Sequence, residues 1–259
     1  MTVYKRTNPS RSTGHSLGVV CLNQNMPFIP GDVQCATTFD FPVIYRVAKE
    51  GTSARILAGD SRLEGWLSEV AVALEQEGVR CISGDSGYMI SYQRAVASAV
   101  DVPIALSSLV QVPLVADALD AGRTVAIVCA ASPPLDVESL AELGITIGNP
   151  LVVQGMQDDA AVVEIMFSAV NISDHGTAGD TSAGPAPFDA DHLAESFFNI
   201  GKQLVETYPD LGAIILECSD FPPYASAVQA AAGGIPVFDY ITLINLLESG
   251  TSRTTFTAG

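Results

Sequence analysis

Two turns in this chain carry residue types suited to moving a proton: Gly84-Asp85-Ser86-Gly87-Tyr88 and Glu217-Cys218-Ser219-Asp220-Phe221. Each follows a short apolar run, Val79–Ser83 in one case and Ala213–Leu216 in the other, and each opens a stretch of helix-forming composition. The segments beyond are also alike. Ser86 is followed by Ala95-Val-Ala-Ser-Ala-Val100 and then Val102-Pro103-Ile104; Cys218 is followed by Ala225-Ser-Ala-Val-Gln-Ala-Ala-Ala232 and then Ile235-Pro236-Val237. This is the pattern of a duplicated strand–turn–helix–strand unit with Ser86 and Cys218 in equivalent places. A cysteine between a strand end and a helix start sits beside free N–H groups and a partial positive charge, which favour the thiolate. The same N–H groups can hold a carboxylate. Two such turns face to face would bind one small acid between two side chains able to exchange protons.

Local pattern separates the two positions. A buried structural cysteine is common in α/β cores, but the place of Cys218 past its strand, next to Ser219 and Asp220, favours a functional reading; Ser86, taken alone, reads as a helix N-cap. Asp85, Glu217 and Asp220 flank the turns, and capping or solvation explains them as well as proton transfer does. The Gly-x-Ser-x-Gly elbow of serine hydrolases is absent around Ser86, and the three histidines (His15, His175, His192) fall in segments that read as tail, loop and helix start. Neither Gly84–Gly87 nor Gly233-Gly234 has the spacing of a phosphate loop.

The elements that must position these turns alternate. Leu17–Leu22, Phe41–Val47, Val79–Ser83, Val102–Leu106, Arg123–Cys129, Leu151–Gln154 and Ala213–Leu216 read as strands, and Phe238–Leu247 as a closing strand-to-helix segment. Between them, Ser61-Arg-Leu-Glu64 is a capping-box pattern ahead of Leu63, Trp66, Leu67, Val70 and Leu74 at helical spacing, with a stop at Gly78. Helices are also expected over Tyr92–Val100, Leu109–Leu119, residues 136–143 and the segment carrying Leu193, Phe197, Ile200 and Leu204. The alternation predicts an α/β fold with parallel sheets, whose ligands bind at the carboxyl ends of the strands. Four polar turns fall there: Asn23-Gln24, Asp85-Ser86-Gly87, Ser107-Ser108 and Cys218-Ser219-Asp220. Residues 171–190, polar and rich in Gly and Pro, read as a long lid-like loop.

Bulk properties narrow the function. With 48% hydrophobic residues in 259, the chain can bury a full core without staples. Its 12 basic and 29 acidic residues give a net charge of −17 with no basic stripe, so nucleic acid is not an expected partner. No apolar run reaches membrane-spanning length, and no signal-peptide core follows the basic residues near the start. The five cysteines are widely spaced without a CxxC pair, which points to neither a disulfide framework nor a zinc site and to a reducing, cytoplasmic compartment.

Several of these motifs together resemble the aspartate/glutamate racemase superfamily, which includes hydantoin racemases, maleate isomerases and arylmalonate decarboxylases. The resemblance runs from about Gly18 to Gly250 and rests on Pro30-Gly31-Asp32, Gly84–Tyr88 with Gln93, Ser107–Pro113, Glu217–Tyr224 and Pro236–Asp239. It implies two pseudo-symmetric lobes, each a parallel sheet flanked by helices, with one active site in the cleft. The expected division is a tail over 1–13, a first lobe over 14–115 plus 222–250, a second over 116–221, and a tail over 251–259. It further implies catalysis without pyridoxal phosphate, metal or other cofactor, a small carboxylate-bearing substrate, and a homodimer or higher homo-oligomer. Two cysteines serve these racemases as base and acid. Cys218 matches one; the other falls on Ser86, and a hydroxyl is a far weaker acid than a thiol. Asn23, Asp85, Gly87, Tyr88, Ser107, Ser108, Ser219 and Asp220 fall in or beside the loops that hold the substrate. The implied activity is a two-base racemase or epimerase, an isomerase, of an amino-acid-type or hydantoin-like acid, impaired by a cysteine-to-serine change at position 86. A single-thiol decarboxylase or cis–trans isomerase of a dicarboxylate, and a non-catalytic small-acid binding protein, are the alternatives.

Overall fold

A computed structural model describes residues 13–24, 26–164 and 189–252. Most of the tails expected at either end (residues 1–12 and 253–259) and most of the loop over 171–190, including His175, lie outside the described residues, while Thr251, expected in a tail, closes a helix. The remainder folds as two four-stranded sheets, parallel throughout. The first comprises β1 (Leu17–Leu22), β2 (Val43–Ala48), β3 (Cys81–Gly84) and β4 (Ile104–Ala105) in the order β2-β1-β3-β4. The second comprises β5 (Thr124–Cys129), β6 (Leu151–Gly155), β7 (Leu211–Leu216) and β8 (Val237–Phe238) in the order β6-β5-β7-β8. The two orders are the same once the strands are counted from the start of each half, so the duplication seen in the chain is a duplication of topology.

β1, β5 and β7 are buried along their full length, as continuous β-branched and aliphatic runs require when helices cover both faces of a parallel sheet. The helix Leu63–Gln76 covers the first sheet through Leu63, Leu67, Ala71 and Leu74, all fully buried, each large side chain contributing about 1.5–3 kcal/mol of transfer free energy. Its start differs from the expected capping box. Asp60, not Ser61, accepts the free N–H of Arg62, through Oδ1 at 3.1 Å, and its carbonyl accepts from Leu63. The helix Ala190–Thr207 covers the second sheet, capped by Asp189 on the N–H groups of Asp191 and His192, and packs on the helix Ala225–Ala231.

The chain returns to the first lobe later than expected. Residues 222–238 stay with the second lobe, because β8 pairs with β7 and the helix Ala225–Ala231 packs in the core beneath it. Only the helix Tyr240–Thr251 crosses back, burying Tyr240 and Ile244 against Leu17, Val19 and Cys81. Asp239 starts it with a capping box, accepting from Thr242 N–H at 2.9 Å while its own N–H donates to the Thr242 hydroxyl. Among the described residues, no helix is long and apolar enough to cross a membrane.

Candidate active site

In each sheet the chain leaves the central pair of strands in opposite directions, and the crevice above their carboxyl ends is the natural ligand site of an open parallel sheet. The loops after β1, β3, β5 and β7 meet there. They line a cleft of about 610 Å³ including its mouth, formed by Gln24 and Met26, Asp85, Ser86 and Tyr88, Ala130, Glu217, Cys218, Ser219 and Asp220, with Ser53, Ile56 and Leu57 on one side. Ser86 and Cys218 thus share one cavity, each two residues past the end of its equivalent strand, β3 at Gly84 and β7 at Leu216.

The turns also lock the lobes together. The Ser219 hydroxyl donates to the Asp85 carbonyl at 2.6 Å, the Ser108 hydroxyl to the carbonyls of Leu216 at 2.8 Å and Glu217 at 3.0 Å, and the Tyr240 hydroxyl to the Leu106 carbonyl at 2.9 Å. The Tyr88 hydroxyl reaches across the cleft, donating to the Ala131 carbonyl at 2.8 Å and accepting from the Ala131 N–H at 2.7 Å. Gly87 permits this close approach: a Cβ there would run into the Glu217 carboxylate.

The residues expected around a substrate therefore divide. Ser86, half-buried, occupies the N-cap position before the 3-10 turn Gly87–Tyr92, yet its side chain makes no capping bond and faces the cleft. Asp85 is buried and anchored by the Leu22 N–H at 2.8 Å through Oδ2. Ser107 accepts from Leu109 N–H, and neither it nor Ser108 lines the cleft. Asn23 is exposed and donates to the Lys49 carbonyl at 3.1 Å; Gln24, its neighbour, is the residue that lines the cavity.

Electrostatics separate this site from the expected one most sharply. The Cys218 thiol is pushed well above its ordinary range by burial, then by the Asp220 and Glu217 carboxyls, with Asp220 Oδ2 3.8 Å from Sγ. The helix terminus expected to favour the thiolate is too far along the chain: the 3-10 turn begins at Pro222 and the helix at Ala225. Burial likewise pushes the Asp85 and Glu217 carboxyls up to about 8, with Asp220 adding to both. Oδ1 of Asp85 and both carboxyl oxygens of Glu217 are buried without a hydrogen-bond partner. Among the described residues, no Lys, Arg or His lines the cleft. Of the candidate turn Asn23-Gln24 it is Gln24 that lines the cleft, and Ser53, Ile56 and Leu57 line it too, although no motif marks them.

No family model matches the chain. Searches of solved structures show its fold. It covers 92% of this chain and 95% of unliganded arylmalonate decarboxylase with a TM-score of 0.55 at 15% identity. An aspartate racemase homologue from Pyrococcus horikoshii OT3 matches at 0.53 and 15% identity over 93% of this chain and 100% of its own. A glutamate racemase from Francisella tularensis, solved in complex with D-glutamate, matches at 0.53 and 14% over 93% and 85%. The chain has the fold of the aspartate/glutamate racemase superfamily.

Sequence relatives point to a different reaction. A dimethylsulfoniopropionate lyase from Durusdinium sp. clade D is 28% identical over 238 residues, 91% of this chain and 74% of that protein. Dimethylsulfoniopropionate lyase 7 of Emiliania huxleyi (strain CCMP1516) is 28% identical over 89% of this chain and 65% of its own length. Lyase 3 of the same alga is 29% identical over 89% and 58%. The chain thus spans between about three fifths and three quarters of the length of these three relatives. These relatives are lyases, not isomerases, and that overturns the racemase or epimerase expected from the motifs, together with the impaired two-thiol enzyme that went with it.

Proposed function

We propose that the protein is a lyase that splits dimethylsulfoniopropionate, or a close β-sulfonio carboxylate, with Cys218 as the base. The observation that carries this is the shared name of curated relatives aligned over about 90% of the chain, as the first, at 91%, is. The make-up of the cleft supports it. A thiol among Asp85, Glu217 and Asp220, with no cation among the described lining residues, offers a dicarboxylate no counter-charge but suits a zwitterion whose positive end enters first.

The chemistry needs one base. The Cys218 thiolate takes a proton from the carbon next to the substrate carboxylate. The electrons of that C–H bond form the double bond of acrylate, the bond from the β-carbon to sulfur breaks, and its electron pair leaves with dimethyl sulfide. The positive sulfur departs neutral, so no second proton donor is required, and a hydroxyl at position 86 is no defect. Ser86 and the backbone N–H groups of the Gly87-Tyr88 turn hold the substrate carboxylate. The substrate also relieves the obstacle to forming the thiolate. A sulfonium about 5 Å from Sγ favours the thiolate by roughly 3 kcal/mol at an effective dielectric of ~20, on the order of a hundredfold in thiolate population.

The test is headspace measurement of dimethyl sulfide, with acrylate followed in parallel, from the purified chain given dimethylsulfoniopropionate. Both products are expected in equal amounts, and neither from Cys218→Ala. A folded protein that yields neither sinks the proposal.

A further inference from the structure

Behind the thiol lies a second cavity, of about 380 Å³ including its mouth, that shares Met26 and Asp220 with the first. Its deep wall is aromatic. Phe197 stacks on Tyr224 with ring centres 4.8 Å apart and meets the edge of Phe221 at 4.7 Å, and all three rings are buried. Its polar wall is the carboxyl pair Asp32 and Asp220, which hydrogen-bond one another. Two buried carboxyls in contact cannot both ionise, so they share a proton; burial, and for Asp32 its partner's charge, push both up. Among the described residues no basic side chain lines this cavity either. Aromatic faces beside a carboxylate are a combination that attracts a methylated cation: the rings supply their negative faces and an apolar wall, the carboxylate a full counter-charge.

We infer that this aromatic pocket is a binding subsite for a small alkylated onium group, with Asp220 as its counter-ion and Phe197, Phe221 and Tyr224 as the wall around its methyl groups. The inference rests on the lyase reading for the identity of the onium, a dimethylsulfonium. The connectivity fits. Asp220 sits 3.8 Å from Cys218 Sγ, and in the substrate the carbon that loses its proton is two bonds from the sulfur, so one molecule spans base and counter-ion. A shared proton leaves the pair one negative charge, which matches the single positive charge of the onium. The leaving group, once neutral, loses its attraction to Asp220 and is held only by the apolar wall.

The test uses an isosteric pair that differs only in charge, 3-(trimethylammonio)propionate and 4,4-dimethylpentanoate, bound to the whole chain and followed by calorimetry. The onium is expected to bind about tenfold or more tighter than its neutral isostere. Asp220→Asn should remove that preference by weakening the onium alone. Equal affinity of the pair in the parent protein, or an equal loss for both ligands in the variant, overturns the inference. If Asp220→Asn does not fold, the parent protein still decides, because equal affinity of the onium and its neutral isostere there overturns the subsite. Dimethyl sulfide production without onium preference leaves the lyase standing and removes the subsite. Onium preference without dimethyl sulfide production does the reverse.

Discussion

At the scale of single residues, the proposed lyase makes Cys218 the base, and burial with the carboxyls around it sets how readily its thiolate forms. Cys218→Ser should retain the shape of the site yet lose more than about a thousandfold in the rate of dimethyl sulfide release, because a hydroxyl is far harder to deprotonate than a thiol. Ser86→Ala should act differently. It removes one donor to the substrate carboxylate, so KM is expected to rise about tenfold with kcat little changed, the signature of lost ground-state binding. Steady-state kinetics on the two variants separates the roles, and a kcat collapse in Ser86→Ala would mean that position 86 takes part in the bond-breaking step. Gly87 is constrained by space. An added methyl meets the buried Glu217 carboxylate, so Gly87→Ala should cost about 1–3 kcal/mol in a denaturant titration, which an accompanying Glu217→Ala relieves in part.

At the scale of elements, the site is held by hydrogen bonds that run between lobes from the turns after β3 and β7, not by either sheet alone. Tyr88, on the 3-10 turn after β3, satisfies both the N–H and the carbonyl of Ala131 after β5. Tyr88→Phe leaves both groups without that partner and should lower stability by about 1–3 kcal/mol, measurable as a shift in the urea midpoint. Some of this was visible beforehand. The end points of β1 agree with the sequence because a β-branched run bounded by Gly14 and Asn23 has nowhere else to go, and the stripe Leu63, Leu67, Leu74 is the buried face of its helix. Other local signals misled. Ser61 looks like a cap, but Asp60 closes the turn instead; Asn23 looks like a ligand-loop residue, but its amide is spent on Lys49.

At the scale of the whole molecule, a chain of net charge −17 gathers Asp85, Glu217 and Asp220 in one crevice, and its stability must depend on pH. Asp85 and Glu217 have folded-state values raised to about 8. Between about pH 4 and pH 8 the unfolded chain ionises these groups while the folded chain keeps them protonated, so the folded state binds more protons and stability falls as pH rises, on the order of 1 kcal/mol per pH unit for each group. Thermal unfolding should therefore give a higher Tm at pH 5.5 than at pH 8, and Glu217→Gln should flatten the slope. A Tm that rises over this range would mean that neither carboxyl is held neutral.

The sequence by itself determined that two like halves each deliver a polar turn at a strand end, with Ser86 in one and Cys218 in the other, because strand periodicity, turn residues and an internal repeat are local properties of the chain. It also held the motifs of the superfamily whose fold this is. Only the tertiary structure decided what surrounds the thiol. Asp32, Asp85 and the Glu217–Asp220 turn lie far apart in the chain and come together because the two sheets present their carboxyl ends to one crevice. Burial there pushes the Cys218 thiol up, where a helix terminus would have favoured the thiolate. Desolvation is a property of packing, and no spacing of residues along the chain encodes it.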